Sequence, residues 1–265
     1  MDKPYFSIIV VSYNAENLIR ATIESVLKQN FDDFEIVVKD ACSTDNTLVN
    51  IPVDERIRVY STKDTGIYDG MNQAISYANG EYCTFLNCGD SFYDENVLRS
   101  IYDASKNIED TNTIIYGDLY RDDVYRTQPA NISGFYLYRR PLNHQSMFFG
   151  KAVFDKVGVY DTNMKISADY GLTVKAFKQG TRFVHCPCVV CTYLSGGVSE
   201  SKKNIKRKED EFKQIHQKYF SKSERRKYGF KVFLSMRWLR KIISSDSSPK
   251  WIRKAYRYFA NIANK

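Results

Sequence analysis

The feature that most constrains the fold is a series of apolar, β-branched runs separated by helical patterns. The first run is YFSIIVVSYN, residues 5–14, and apolar residues at helical spacing follow between Glu16 and Gln29. Two further runs, FEIVVKD and RIRVYS, precede the helical pattern YDGMNQAISYA and a fourth run, YCTFLN. Continuous apolar runs indicate strands buried on both faces, and their alternation with helices predicts βαβ units. We therefore expect an α/β fold with a mainly parallel sheet flanked by helices.

The pattern is looser after residue 90. TIIYGDLY, QSMFFG and RFVHCPCVVCTYL are typical of strands, and DYGLTVKAFKQG is typical of a helix that ends at Gly180. STDNTLVN, residues 43–50, begins with residues that cap helices and predicts a short helix. SGGVSES is expected to be a loop, and its Gly196 and Gly197 are a candidate hinge for closure over a ligand. An ordinary surface loop is the alternative.

Charge divides the chain of 265 residues in two. Residues 1–200 carry 19 Lys and Arg against 26 Asp and Glu, whereas residues 201–265 carry 20 against 5. We expect a main α/β domain over residues 1–200 and a basic helical region over residues 201–265. So concentrated a basic segment suits anionic lipid, nucleic acid or another polyanion. Because the segment contains no recognisable nucleic-acid-binding motif, nucleic acid is not an expected partner.

Two stretches of the C-terminal region combine basic and aromatic residues at helical spacing. Their apolar positions are Val232, Met236, Leu239 and Ile243, and then Ile252, Ala255, Phe259 and Ile262. Basic amphipathic helices with Trp and Phe are typical of proteins that lie on a membrane interface. The alternative is packing on the main domain or on a second subunit, and a homo-oligomer is a further expectation. No run reaches the ~18 apolar residues of a membrane span.

Six cysteines lie mostly inside apolar runs, which favours a reducing, cytoplasmic compartment over a disulfide framework. The cluster HCPCVVC, residues 185–191, also offers a zinc-site interpretation. Structural zinc sites usually draw on two such clusters, and residues three apart on a strand point to opposite faces. Buried thiols are therefore the favoured interpretation.

Polar residues follow three of the predicted strands. Ser12, Tyr13 and Asn14 end the first run, Asp40 ends the second, and Asp90 follows the fourth. Turn formation alone explains any one of these positions. Because ligands of open α/β sheets bind beyond the carboxyl ends of the strands, three such ends indicate a shared polar site.

Seven motifs carry a resemblance to a known family. FSIIVVSYN, KDACSTDNT, DTGIYDGMNQAI, ANGEYCTFLNCGDSF, NHQSMFF, ISADYGL and SGGVS occur in the order and spacing of family 2 glycosyltransferases, over roughly residues 5–200. The chain most resembles the bacterial subgroup that assembles colanic acid, O-antigen and capsule. The resemblance implies a GT-A fold, a nucleotide-sugar donor, a Mn²⁺ or Mg²⁺ cofactor and inversion at the anomeric carbon. It also implies a lipid-linked glycan acceptor, expected to be a polyprenyl diphosphate, at the inner face of the cell membrane.

The resemblance also assigns roles to individual residues. Nucleotide binding falls to Ser12, Tyr13, Asn14, Asp40, Asp64 and Asn87, and contacts with the donor sugar or acceptor fall to Gly66, Asp69, Asn72, His144 and Gln145. Asp40 is expected to read uracil or thymine, since a carboxylate accepts a hydrogen bond from a ring N–H. Asp90 matches the metal motif, although Asn87 and Gly89 stand where family members often carry Asp-x-Asp. Asp169 matches the catalytic base, and the alternative is a charge serving the first turn of a helix.

The implied reaction explains these residue types. Displacing a nucleoside diphosphate leaves charge on the phosphates, which a divalent cation stabilises. One carboxylate is enough for a hard cation when phosphates and water supply the other oxygens. The acceptor hydroxyl must lose a proton, and a carboxylate on its side can take it. The alternatives are a nucleotide-sugar-binding or scaffold protein without turnover and, more distantly, a polyanion-binding module.

Overall fold

A computed structural model describes residues 3–122, 124–193 and 202–234. In this part of the chain the strands are β1 (Phe6–Ser12), β2 (Phe34–Asp40), β3 (Ile57–Ser61), β4 (Tyr82–Phe85), β5 (Ser91–Phe92), β6 (Thr113–Arg121), β7 (Val124–Arg126), β8 (Met147–Gly150) and β9 (Arg182–Tyr193). The helices are α1 (Ile19–Leu27), α2 (Ile67–Tyr77), α3 (Val97–Ser105), α4 (Gly134–Arg139), α5 (Lys151–Val157), α6 (Ala168–Lys178), α7 (Lys202–Tyr219) and α8 (Lys222–Leu234). A 3-10 turn, His144–Ser146, leads into β8.

The strands form one mixed sheet in the order β3-β2-β1-β4-β8-β6-β9-β5, with β7 paired to β6. The strands β3, β2, β1 and β4 are parallel, and so are β6 and β9. β8 runs antiparallel between β4 and β6, so β6 and β9 on its far side run in the same direction as β1 to β4. The predicted α/β class with a mainly parallel, helix-flanked sheet is confirmed.

The sheet is covered on both faces, which explains the continuous apolar runs. Along β1, Ile9 belongs to one core cluster, while Ile8 and Val10 belong to the cluster on the opposite face. All three have 1% or less of their surface exposed. Alternate residues of a strand point to opposite faces, so a strand buried on both sides reads as uniformly apolar.

The helix predicted for residues 43–50 is wrong. This segment forms turns, and its polar side chains bond to the loop after β1. Thr47 Oγ1 accepts from the Ala15 N–H at 2.7 Å, and Asp45 Oδ2 accepts from the Glu16 N–H at 3.2 Å. Side chains that could cap a helix thus bond to the backbone of another loop. Short polar side chains often form such hydrogen bonds in place of regular secondary structure.

Two other predicted boundaries compare well with the structure. The first helix begins at Ile19, three residues later than the pattern begins at Glu16. The helix α6 ends at Lys178, and Gly180 follows with φ of 77°, as the helix-terminating glycine predicts.

Cys186 and Cys191 of β9 are buried in a core cluster.

The two described C-terminal helices pack against the rest of the molecule. Ile215 of α7 is fully buried, and Phe220 after it is 2% exposed, both in the core cluster that contains α6. Glu211 of α7 accepts hydrogen bonds from three consecutive backbone N–H groups, those of residues 165–167, just before α6. None of the described helices is long and apolar enough to cross a bilayer. The candidate hinge at Gly196 and Gly197, and the helical pattern beyond residue 234, lie outside the described residues.

Candidate functional site

Three parallel strands bring Ser12, Asp40 and Ser61 side by side at their carboxyl ends. Asp40 has no exposed surface. Its Oδ1 accepts from the hydroxyls of Ser12 and Ser43, and its Oδ2 accepts from the Ser61 hydroxyl at 3.0 Å and the Ser43 N–H at 2.8 Å. Burial raises the pKa of Asp40, but these hydrogen bonds outweigh it and hold the pKa below its ordinary value. Asp40 is therefore an ionised carboxylate that is fixed by its hydrogen bonds.

The loop after β1 is held by the loop after β2. Asn14 has φ of 46°, a conformation that Asn tolerates better than most residues. Its Oδ1 accepts from the Thr44 N–H at 2.9 Å, and its own N–H donates to Ser43 Oγ at 2.8 Å. Tyr13 beside it is 65% exposed. The predicted nucleotide loop is thus ordered, with one aromatic ring open to solvent.

Lys39 and Asp64 form a buried ion pair beneath this loop. Lys39 Nζ lies 2.8 Å from Asp64 Oδ2, and the lysine side chain has no exposed surface. The ammonium group also donates to the carbonyls of Asp40 and Thr62, so all three of its N–H bonds are used. A side chain at Gly70 would meet Asp64 Oδ2 at 2.9 Å, so the glycine makes room for the carboxylate. The pair fixes the loop that enters α2.

The predicted donor-sugar residues lie around the start of α2. Gly66 adopts φ of 138°, which favours glycine, and its N–H donates to Asp64 Oδ1 at 3.1 Å. Asp69 Oδ2 accepts from the Thr65 N–H at 2.8 Å, so this carboxylate orders its own loop. Asn72 is turned towards the backbone of Tyr160, with which it exchanges two hydrogen bonds of 2.9 Å. Its amide therefore ties α2 to the segment after α5.

Two unpartnered oxygens lie in the loop between β4 and β5. Within the described residues, neither Asp90 Oδ2 nor Asn87 Oδ1 has a hydrogen-bond partner, although both atoms are buried. Burial raises the pKa of Asp90 to about 6, against the lowering effects of His144 and of a hydrogen bond from Gln145. Unsatisfied buried oxygens are costly and call for a ligand. Oxygen donors suit a hard divalent cation.

The metal motif fits a cation only in the company of a ligand. Across residues 3–122, 124–193 and 202–234, no three His, Cys, Asp or Glu side chains are grouped so as to hold a metal by themselves. Mg²⁺ characteristically binds through one or two carboxylates together with substrate phosphates and water. The Asp90 carboxylate and the Asn87 carbonyl therefore match a cation that arrives with a diphosphate.

Asp169 lies in the first turn of α6 and is held by two donors from distant elements. The Tyr68 hydroxyl donates to its Oδ1 at 3.0 Å, and His144 Nδ1 lies 3.3 Å from its Oδ2. Burial raises the pKa of Asp169, but the His144 contact, the Tyr170 N–H and Tyr68 outweigh it and lower the pKa. The side chain keeps 20% of its surface exposed. Asp169 is thus an ionised, positioned and reachable carboxylate, which are the properties of a general base.

Comparison with known proteins decides the family. The model of "Glycosyl transferase family 2" matches residues 7–159. The chain is a family 2 glycosyltransferase. A PGL/p-HBAD biosynthesis glycosyltransferase of Mycobacterium bovis is 31% identical to this glycosyltransferase over 211 residues, covering 76% of this chain and 81% of the relative.

Solved structures show the fold of this glycosyltransferase at lower identity. TarS residues 1–349 of S. aureus, in complex with UDP-GlcNAc, superposes with a TM-score of 0.64 at 16% identity, covering 97% of this chain and 80% of that one. The mannosyltransferase PcManGT of Pyrobaculum calidifontis, in complex with GDP-Man and Mn²⁺, also gives 0.64 at 16% identity, covering 99% and 84%. The predicted GT-A fold is therefore confirmed. The narrower resemblance to capsule and O-antigen enzymes is not what these relatives indicate.

The candidate site also includes residues that sequence patterns did not single out. Tyr68, a direct partner of Asp169, stands one position before Asp69 in the motif DTGIYDG. Lys39 stands one position before Asp40 and directly after the apolar residues Ile36, Val37 and Val38, and a buried charge at such a position indicates a buried partner. Ser43 in the loop after β2 and Ser61 at the end of β3 carry no local signal of their contacts with Asp40. The predicted residues Asn87, His144 and Asp169 are linked in one chain of contacts.

Proposed function

We propose that this chain is an inverting, metal-dependent glycosyltransferase that moves a sugar from a nucleotide sugar to a lipid-linked glycan acceptor. The observation that carries the proposal is the chain of contacts from Asn87 in the candidate metal loop, through His144, to Asp169. It connects a pair of unsatisfied oxygens with an ionised carboxylate within one site. Family membership gives the reaction class, and these contacts support the role proposed for each residue.

In the proposed mechanism Asp169 accepts the proton of the acceptor hydroxyl as that oxygen attacks the anomeric carbon. Tyr68 and His144 keep the carboxylate charged and oriented before the attack. Asp90 and Asn87 would hold the divalent cation, which neutralises charge on the leaving diphosphate when bound. Tyr13 and the ordered loop around Asn14 would hold the nucleotide, and Asp40 at the end of β2 would accept a hydrogen bond from its base.

A UDP-sugar is the proposed donor. Asp40 at the end of β2 favours a base with a ring N–H, as uracil has. TarS was solved with UDP-GlcNAc, which supports a UDP donor, whereas PcManGT was solved with GDP-Man. Both a hexosyl and an N-acetylhexosaminyl transfer are consistent with these structures. The similar mycobacterial protein is named for PGL/p-HBAD biosynthesis, which supports a glycolipid as the lipid-linked acceptor.

The activity is tested by nucleotide release. The chain is incubated with UDP-, dTDP- and GDP-sugars, Mn²⁺ or Mg²⁺ and membrane lipid extracts, with and without EDTA. We expect release from one UDP-sugar that depends on acceptor and is abolished by EDTA. Release that survives EDTA would remove the metal from the mechanism. Tight donor binding without any turnover would instead favour the alternative of a non-catalytic nucleotide-sugar-binding protein.

We also propose that the molecule rests on the inner face of the cell membrane through its basic C-terminal region, residues 201–265. In the described part of this region, Phe230 and Phe233 of α8 are 61% and 60% exposed. They stand three residues apart, on one side of the helix, near Lys227 and Lys231. Exposed phenylalanine beside lysine suits an interface with anionic lipid. Contact with the membrane would bring the site close to a membrane-bound acceptor.

A further inference from the structure

The 3-10 turn His144–Ser146 connects the candidate base with the candidate metal loop. His144 Nδ1 lies 3.3 Å from Asp169 Oδ2, and its Nε2 lies 3.2 Å from the Asn87 amide, in the loop that also carries Asp90. Asp90 and Asp169 are 79 positions apart in the chain and lie on different elements. One short turn thus contacts both the candidate base and the candidate metal loop.

The contacts of His144 define its tautomer. A carboxylate only accepts, so the Nδ1 that faces Asp169 must carry a hydrogen. In the neutral ring Nε2 is then an acceptor, and the Asn87 amide lies 3.2 Å from it, with Nδ2 as the donor. In this arrangement Asn87 Oδ1 has no hydrogen-bond partner among the described residues. Both ring nitrogens are used within the protein, which leaves neither for a sugar hydroxyl.

The turn itself is firmly anchored. Ser146 has no exposed surface, and its N–H and hydroxyl both bond to the Asn143 carbonyl, at 3.2 and 3.0 Å. The Asn143 amide donates to the Tyr193 hydroxyl at 2.8 Å, which links the turn to β9. β8, which follows directly, lies between β4 and β6. A rotamer fixed by packing and hydrogen bonds is what a positioning residue requires.

We propose that His144 is a positioning residue for Asp169, acting through an Nδ1–H hydrogen bond, and does not itself contact donor or acceptor. The turn thereby sets the base relative to the metal loop, because the contact between His144 and Asn87 connects the same turn to that loop. The proposal rests on the proposed function, with Asp169 as the base. A misplacement of a reacting group by about 1 Å can cost ~10²-fold in rate.

Three substitutions of His144 test the role. His144→Ala removes the hydrogen bond, His144→Asn keeps a donor close to the position of Nδ1, and His144→Gln places its amide nearer to Nε2. We expect His144→Ala to lower kcat by about 10–10²-fold with the donor KM unchanged. His144→Asn should recover most of the loss, and His144→Gln should not. A raised donor KM with unchanged kcat would instead make His144 a ligand contact and overturn the proposal.

A matched control separates this effect from general destabilisation. His185 also pairs with a carboxylate, Asp118, at 3.1 Å, and its side chain is 15% exposed against 19% for His144. We expect His185→Ala to leave kcat within about twofold of the wild type, since it contacts no residue of the site. Equal losses of kcat in the two alanine variants, or no rescue by asparagine, would assign His144 a purely structural role and contradict the proposal.

A measurement without turnover keeps this inference separate from the proposed function. The chain has three histidines, so long-range ¹H–¹⁵N spectra can be assigned by single substitution. We expect the His144 ring as the Nδ1–H tautomer in the wild type, and loss of that preference in Asp169→Ala. An Nε2–H ring in the wild type would sink the positioning role even in an active enzyme. Absence of turnover with the expected tautomer would sink only the proposed reaction.

Discussion

At the scale of single residues, Lys39 shows how much of the site depends on one buried charge. Its ammonium group has no exposed surface and is satisfied by the Asp64 carboxylate and two backbone carbonyls. Lys39→Met leaves Asp64, whose side chain is 12% exposed, without its cation. Removing one partner of a buried pair typically costs about 3–5 kcal/mol. We expect a loss of that order in the free energy of unfolding, measured by urea denaturation at pH 7.

The control for this prediction is an exposed pair. Arg20 and Glu24 of α1 lie 3.5 Å apart, with side chains 54% and 43% exposed. Exposed pairs contribute about 0–1 kcal/mol, so Arg20→Met should change the unfolding free energy by no more than that. If Lys39→Met costs as little as Arg20→Met, the pair with Asp64 does not stabilise the loop.

Asp169 carries the chemical prediction at this scale. Asp169→Asn keeps the shape of the side chain and removes its ability to take a proton, so we expect kcat to fall by about 10²–10⁴-fold. Donor binding, measured by calorimetry with UDP and Mn²⁺, should be unchanged because the proposed nucleotide contacts lie on other elements. Asp103→Asn, on the exposed face of α3, is the matched control and should keep full activity. Full activity in Asp169→Asn would show that another group is the base.

At the scale of elements, α7 supports the helix that carries the base. Glu211 accepts hydrogen bonds from the three N–H groups that precede α6, and His216 contacts Tyr170 of the same helix. His216 stacks on Tyr138 at 4.2 Å between ring centroids, and its Nε2 lies 2.9 Å from the Tyr170 hydroxyl. Although the charge pattern assigns α7 to the C-terminal region, this helix is part of the support for Asp169. The division at residue 200 therefore describes the charge better than the packing, and we retain it as a proposal about charge.

The same contacts predict a pH dependence of stability. Burial, with a smaller effect of Arg225, lowers the pKa of His216 below 6.5. The unfolded chain therefore binds a proton before the folded chain does, and stability falls as pH drops below about 6.5. Asp90, whose raised pKa acts in the opposite direction over this range, is present in both the wild type and His216→Gln. We therefore expect the melting temperature of His216→Gln to fall less, or rise more, than that of the wild type between pH 7 and pH 5.5. An identical pH profile in the variant would exclude His216 as the titrating group.

Among the elements, those that depend on contacts between distant segments could not be predicted from the sequence. The central strands and helices α2 and α6 follow from periodicity, because their burial is encoded in neighbouring residues. The conformation of residues 43–50 does not follow from periodicity, because Asp45 and Thr47 accept hydrogen bonds from the loop after β1 instead of capping a helix. The two-residue strand β5 exists through its pairing with β9, about 100 positions later, and no local pattern specifies it.

At the scale of the whole molecule, the same limit applies to the site. β1 and β2 end at Ser12 and Asp40, which lie side by side because parallel strands bring their carboxyl ends to one edge of the sheet. Which groups touch was not encoded locally. Tyr68 meets Asp169 across 101 positions, and Asn87 meets His144 across 57. Only the three-dimensional packing of α2, α6 and the turn before β8 brings them together.

The division of charge over the whole chain makes a prediction about lipid binding. Residues 1–200 have an excess of acids and residues 201–265 an excess of bases, so the molecule should approach an anionic surface with its C-terminal side foremost. Binding to vesicles with 30% anionic lipid, a fraction chosen to give about −30 mV at the surface, should weaken as salt shortens the Debye length. Sedimentation with the vesicles measures it.

Two substitutions separate attraction by charge from insertion. Phe230→Ser with Phe233→Ser removes two exposed rings from α8, each worth about 1.5–3 kcal/mol when fully buried, and leaves the charge unchanged. We expect the full chain carrying both to bind anionic vesicles at least tenfold more weakly, while the salt dependence persists. The matched control is Val59→Ser on the edge strand β3, where the apolar side chain is 45% exposed. Equal binding by the double variant and the control would mean that charge alone holds the protein to lipid, and that α8 does not insert.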